Sequence, residues 1–312
     1  MLLIKTRVFA ELMFIAMLGL ISLRAEARQE GKMESASAPA THTVVFMSDF
    51  GTVDDSVAIC KAVMLRVDPT LRIMDITHQV APYSIPDGAR FLAGTAPYYG
   101  PGTVFVAVID PGVGSTRKAI VARSKLGQYF VVPDNGLLTL IEDRDGILEA
   151  REITNTEWMI GNKLSSTFHG RDIFSPVGAR IARGDDWSQV GPVVPVLVRI
   201  RLTPAKMEGA GINGEVIASD GPYGNLITNI EAGQFAQLGY ALGDRVPFSI
   251  AGKPYAMRFV RTFSDVAQGE PLLYIDSRGR LAIAINRGNA QSQLHVALFS
   301  RLLFQKKKAS LR

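Results

Sequence analysis

The 312-residue chain is 47% hydrophobic and 20% charged, with 29 Gly and 16 Pro, a balance that supports a sizeable buried core and excludes a disordered tail or a collagen-like repeat. Its net charge of +5 is unevenly spread: residues 1–27 carry three basic and two acidic side chains, residues 305–312 carry four basic and no acidic ones, and the body between holds 27 of each sign. A basic stripe on the folded surface therefore has no compositional support, which argues against a nucleic-acid partner.

Residues 1–27 read as a signal peptide. Lys5 and Arg7 form a basic start, Val8 to Leu23 is mostly apolar, and Ala25-Glu26-Ala27 fits a small-x-small cleavage site, so the expected mature chain begins near Arg28 and is exported, periplasmic or secreted. The alternative is an uncleaved membrane anchor, although the apolar run is short for a spanning helix. A polar linker follows over 28–41. From 42 to about 200, β-rich runs alternate with helical patterns, the signature of an α/β domain with a largely parallel sheet. Strands are expected at Thr43–Ser48, Leu71–Ile76, Thr103–Ile109, Lys118–Arg123 and Tyr129–Val132. Helices are expected where Val57, Cys60, Val63, Met64 and Val67 recur at helical spacing, around Asp87–Ala93 behind Pro86, near Leu137–Ile141, and from Asp172 to Ala182. From 201 to 304 the texture changes to closely spaced short strands, ending with one at Gln293–Leu298, as in a small all-β barrel or sandwich. Residues 305–312 form a basic tail.

Two motifs carry no chemistry. Gly209, Gly211 and Gly214 match G-x-G-x-x-G but precede a strand, the reverse of the dinucleotide fingerprint. The four histidines and the single cysteine, Cys60, have no metal-ligand spacing, so no metal site is expected. What remains are polar clusters at strand ends: Ser48-Asp49-Phe50-Gly51, Asp75-Ile76-Thr77-His78 and Asp110-Pro111-Gly112-Val113-Gly114. A carboxylate at a strand C-terminus followed by glycine is where open α/β sheets take small ligands. Arg117 and the run Thr167-Phe168-His169-Gly170-Arg171-Asp172 add a cation and an imidazole.

The segments DFGTVDDSVAICKAVM, DITHQVAPYSIPDGARFL, GTVFVAVIDPGVGSTRKAIV, PDNGLLT, TFHGRDIFSP, SDGPYGNLITNI and IDSRGRLAIAIN occur in this order from residue 49 to residue 286. Together they resemble the S-adenosylmethionine (SAM) hydroxide adenosyltransferases, relatives of the SAM-dependent fluorinases and chlorinases. The resemblance implies a three-layer, Rossmann-like N-terminal α/β domain, a C-terminal β-barrel, and a homotrimer with active sites between subunits. It implies hydrolysis of SAM to adenosine and L-methionine, with SAM as substrate and no cofactor. By the same resemblance Asp110, Arg117 and His169 are the catalytic set, and a halogenase would carry Tyr in place of the acid and lack the histidine. Asp49 is expected to hold the ribose hydroxyls, and Tyr83 and Phe168 to pack around the nucleoside. Asn225 would read the adenine edge beside Tyr223, while Asp220 and Ser277 hold the methionine ammonium and Arg278 its carboxylate. The competing readings are a halogenase, which Asp110 disfavours, and an exported adenosyl-binding protein without turnover, for which the full catalytic set would have no use.

Overall fold

The computed structural model describes residues 41–308 apart from 162 and 210, and it divides into two compact units at Arg199/Ile200. The expected signal peptide, nearly all of the polar linker and the end of the basic tail lie outside the described residues.

The first unit is built on a six-stranded sheet. Its strands are β1 (Thr43–Ser48), β2 (Arg72–Thr77), β3 (Val104–Val108), β4 (Ala119–Ser124), β5 (Tyr129–Pro133) and β6 (Ile147–Glu152), in the order β2-β1-β3-β5-β4-β6. β1, β3 and β5 read as unbroken apolar runs because both faces of the sheet are covered. Val44 and Phe46 point into a core with Cys60 and Met64 of helix α1 (Ser56–Val67) and with Val177 and Ile181 of helix α4 (Ser175–Arg183). Helices α2 (Ile85–Thr95) and α3 (Thr139–Asp145) pack on the strands from the opposite side, completing three layers. Each fully buried Phe of this unit, such as Phe46, Phe105 or Phe130, contributes about 1.5–3 kcal/mol of transfer free energy. α2 starts where Ser84 accepts the Asp87 N–H at 3.4 Å, and Pro86 occupies the first turn, the start that the sequence predicts.

Three features differ from expectation. The sheet is mixed, with β4 antiparallel to both β5 and β6, because four residues including Gly127 (φ +79°) turn the chain straight back from β4 into β5. β6, with its charged alternation Glu149-Arg151, is an added edge strand. The helix expected from Asp172 begins as a wide π-type turn, Gly170–Phe174, before α4.

The second unit contains strands β7 (Lys206–Glu208), β8 (Gly211–Asp220), β9 (Asn225–Glu231), β10 (Arg245–Ile250), β11 (Lys253–Phe259), β12 (Pro271–Ile275), β13 (Arg280–Ile285) and β14 (Arg301–Gln305). β14 pairs with both β10 and β8, so seven strands close into a barrel in the order β14-β10-β11-β12-β13-β9-β8, with β7 added outside β8. All neighbours are antiparallel except β11 and β12. The interior holds Val216, Leu226, Phe235, Val246, Leu273, Ile283 and Phe304. The strand expected at Gln293–Leu298 is instead a short helix, α5 (Ala290–Leu294), because Asn289 caps it by accepting the Ser292 N–H at 2.8 Å; the last strand is β14. Two glycines of the dismissed G-x-G-x-x-G serve packing: a Cβ on Gly211 would meet the Phe304 carbonyl oxygen at 2.3 Å, and one on Gly214 would meet Ile230 at 2.6 Å.

Gly178 in α4 lies against β3, where a Cβ would come within 2.3 Å of Val106 Cγ2. Gly178→Ala is expected to lower stability by about 1–3 kcal/mol through overpacking, outweighing the helix-propensity gain of about 1 kcal/mol. Chemical denaturation checks this, with Gly100→Ala, which meets nothing within 4 Å, as the neutral control.

Candidate active site

The strand order β2-β1-β3 places a topological switch point between β1 and β3, since the chain leaves β1 toward one side of the sheet and returns on the other. Open α/β sheets bind ligands in the crevice at such a point. Asp49 and Phe50 follow β1 there, and Val108 and Asp110 end β3. With Tyr83, Thr167, Phe168 and His169 they line a cleft of about 380 Å³.

Asp110 and Arg117 form a two-pronged ion pair, with Arg117 Nε at 2.9 and 3.0 Å from the two carboxylate oxygens and a terminal guanidinium nitrogen on Oδ2. Only 5% of the Asp110 side chain and 10% of the Arg117 side chain are exposed. The same terminal nitrogen donates to His169 Nδ1 at 2.8 Å, and the guanidinium carbon sits 5.2 Å from the Phe174 ring centre. The cation is thus fixed on three sides by groups from the β3–β4 loop and the π-type turn. Gly112 and Gly114 make the loop possible. Gly114 has φ +76°, and a Cβ there would strike the Ser166 carbonyl oxygen at 2.3 Å.

Arg117 carries N–H donors and no acceptor, so His169 Nδ1 must accept. The neutral ring therefore bears its proton on Nε2. Burial, then the adjacent Arg117 charge, hold the His169 pKa below its usual value, against the opposing pull of Asp110 and Asp172. The ring takes up its proton at lower pH folded than unfolded. Its stabilisation is thus complete above a reference pKa of about 6.5 and is lost as pH falls through the folded value.

Asp49 Oδ2 accepts the Tyr83 N–H at 2.9 Å, which holds Tyr83, a residue 74% exposed at the cleft, at φ +66°. Phe168 stacks edge-on against Phe50 at 5.9 Å, while Arg171 lies over its other side at 5.0 Å. Gly170 lets this aromatic pair close, since a Cβ would meet Phe50 Cζ at 2.8 Å. Buried Asp172 ties the loop down, accepting the Arg171 guanidinium and the Ser165 N–H at 2.7 Å. Sequence reasoning assigned no role to Phe50 or Gly170, although both fall inside motifs it singled out; Asp172 was read only as the start of a helix.

The barrel residues form their own group. Asp220 and Asn225 pair across the β8–β9 hairpin, with exposed Tyr223 at its tip. Ser277 and Arg278 occupy the β12–β13 turn, where Asp276 accepts the Arg278 N–H at 2.9 Å. Arg280 lies opposite Glu231 and Ile283 opposite Leu226, so the two turns stand at opposite ends of β9. Between them is Tyr274, its phenol pushed up to about 12 by burial first and then by Asp276 and Asp220. Among the described residues no cluster of three His, Cys, Asp or Glu side chains is placed to hold a metal ion.

Residues 44–191 match the model of the SAM hydroxide adenosyltransferase N-terminal domain, and residues 214–302 match that of the C-terminal domain. The chain belongs to this family. It is 40% identical to the (R)-S-adenosyl-L-methionine hydrolase of Salinispora tropica over 84% of this chain and 97% of that protein. It is 38% identical to the enzyme of the same name from Thermus thermophilus, over 80% and 94%. A protein named fluorinase from an Actinoplanes species is 31% identical over 78% and 90%. Among solved structures, an uncharacterized conserved protein from Thermotoga maritima superposes with a TM-score of 0.80 at 37% identity, covering 84% of this chain and 99% of that one.

Because Arg117 contributes to the low His169 pKa, Arg117→Met is expected to raise it, since the variant loses a repelling charge and keeps the Asp110 carboxylate nearby. Titration of the His169 ring signals by NMR measures this. A ring that titrates at or above the usual value in the native protein would contradict the arrangement.

Proposed function

We propose that this chain hydrolyses S-adenosyl-L-methionine to adenosine and L-methionine by attack of water at ribose C5′. The observation that carries the reading is the Asp110–Arg117–His169 unit at the β1/β3 switch point, with its carboxylate where a halogenase of the family would carry Tyr. The substrate is a sulfonium, so methionine departs as a neutral thioether: the C5′–S bond breaks as the O–C5′ bond forms, and one water proton must be removed. No cofactor is needed to activate that leaving group.

Free hydroxide is scarce at neutral pH, so the protein must orient a water and assist its deprotonation. Each partner has a legible part. His169 presents an Nε2–H, which donates to the oxygen of the water and cannot take its proton. Asp110 keeps carboxylate lone pairs beyond those used by Arg117, and these accept a water O–H. We therefore assign proton acceptance to Asp110, orientation to His169, and the holding of both to Arg117. A fixed carboxylate also repels a halide at the same position, which separates this chemistry from that of the fluorinase relatives. Phe50, Tyr83 and Phe168 supply aromatic faces to the sulfonium, each worth roughly 0.5–2 kcal/mol.

We extend the proposal to the remaining contacts. Asp49 holds the ribose hydroxyls, Asn225 and Tyr223 the adenine, Asp220 and Ser277 the methionine ammonium, and Arg278 its carboxylate. The support is the family resemblance. Homotrimeric assembly with inter-subunit sites rests on the same resemblance, and export rests on the composition of residues 1–27.

In ¹⁸O-labelled water the label is expected at the 5′ oxygen of adenosine, read by mass spectrometry; formation of a 5′-halo-nucleoside in chloride or fluoride would overturn the hydrolase reading. Asp110→Asn, nearly isosteric, is expected to lower kcat by about 100- to 10,000-fold with substrate affinity within a few-fold. Near-normal turnover in that variant would leave Asp110 as a turn residue only.

A further inference from the structure

β1 and β2 run in parallel register from Thr43↔Arg72 to Phe46↔Asp75, and then β2 takes an extra residue, so that Met47 pairs with Thr77. The slip brings His78 into line with Ser48, beyond the last paired residues, where its ring lies edge-on to Phe46 at 4.7 Å. Ser48 is fully buried and His78 is 6% exposed.

The polar groups at this junction form one chain. Lys61 Nζ donates to Asp75 Oδ2 at 2.6 Å. Asp75 Oδ1 stands 3.2 Å from His78 Nε2 in a bent approach, and the buried nitrogen has no better-aligned acceptor. His78 Nδ1 lies 2.8 Å from Ser48 Oγ, and Ser48 Oγ accepts the Phe50 N–H at 3.3 Å. One proton arrangement suits these contacts: Nε2–H faces the carboxylate without forming a hydrogen bond to it, and the Ser48 hydroxyl donates to Nδ1. The His78 carbonyl then accepts the Gly51 N–H at 2.7 Å. His78 therefore grips the chain through its ring at Ser48 and through its backbone at Gly51, on either side of Asp49 and Phe50.

We propose that the Ser48–His78–Asp75 relay is a positioning device for the cleft, with His78 acting through Ser48 to fix the Asp49 carboxylate that receives the ribose diol. Burial of Ser48 excludes a nucleophilic role despite the Ser-His-Asp make-up. The inference rests on the proposed ribose contact of Asp49 and extends it to three residues that touch no substrate. Burial keeps the His78 pKa low, with Lys61 adding to the effect and Asp75 opposing it, which preserves the neutral ring that the relay requires.

The test uses Ser48→Ala, His78→Leu and His78→Asn in the full chain, with the amide of Asn retaining an acceptor near the Nδ1 position. Dissociation constants are measured by calorimetry for adenosine and for 2′,3′-dideoxyadenosine, which lacks the diol, alongside KM and kcat for SAM. Ser48→Ala and His78→Leu are expected to weaken adenosine about tenfold, the scale of one misaligned charge-assisted hydrogen bond. Dideoxyadenosine affinity stays within about twofold, KM for SAM rises by a similar tenfold factor, and His78→Asn recovers part of the loss. Parallel weakening of both nucleosides, or no change in either, overturns the relay. If His78→Leu does not fold, the other two variants decide. Wild-type protein that binds the two nucleosides equally overturns the ribose reading itself, whereas wild-type discrimination untouched by the variants overturns the relay alone.

Discussion

A single guanidinium, that of Arg117, organises the end of the cleft where Asp110 and His169 meet. It is bound on one side by the Asp110 carboxylate and on the other by a neutral imidazole, with an aromatic ring near its carbon. Removing two charges from water costs several kcal/mol each, so a buried pair of this kind is poor value as a source of stability alone. Its use is to fix the tautomer of His169. With Arg117 permanently charged, Asp110 faces a cation and His169 is left one possible neutral tautomer, so the donor and acceptor roles that we propose toward a bound water are in place before any ligand arrives. That is electrostatic preorganisation, with its reorganisation cost met during folding rather than during the reaction.

The scaffold serves that arrangement by supplying rigid anchors on both sides. β1 and β3 are paired over five residues and buried on both faces, so Asp49 and Asp110 follow directly from the well-paired centre of the sheet. The groups that meet them come from irregular chain: the left-handed Tyr83, the π-type turn after His169, and the loop anchored by Asp172. Strained or unusual backbone costs of order 1–3 kcal/mol per site and persists only where surroundings enforce it. Here the enforcing contacts are the Asp49 carboxylate on the Tyr83 N–H and the Asp172 carboxylate on the Ser165 N–H.

Much of this was legible in the sequence because its physical signals were local. Unbroken apolar runs gave β1, β3 and β5, and Pro86 marked the start of α2. The motifs from Asp49 to Asn286 placed the acid, cation and imidazole in one family pattern. The misses arose where local signals compete or where partners are distant in sequence. Leu294, Val296 and Leu298 alternate like a strand, yet the Asn289 cap turns their start into a helix. Charged β6 lacks an apolar pattern because only part of it is buried. The π-type turn, the direction of β4 and the meeting of Ser48 with His78 thirty residues away depend on tertiary packing, which no window of residues displays.

The closed barrel carries an arithmetic constraint. In a ring of strands, antiparallel pairing at every joint requires an even number, and this ring has seven. At least one joint must be parallel, and it is the one between β11 and β12. Parallel neighbours cannot be joined by a tight hairpin, so the chain must travel back along the barrel between Phe259 and Pro271. Residues 260–270 make that return, and they bring their own small apolar patch, Val260 and Val266 over Leu272 and Ala284, with Phe263 against Tyr274. An odd strand count thus forces a covered outer face onto the barrel beside the very tyrosine that stands between its two candidate ligand turns.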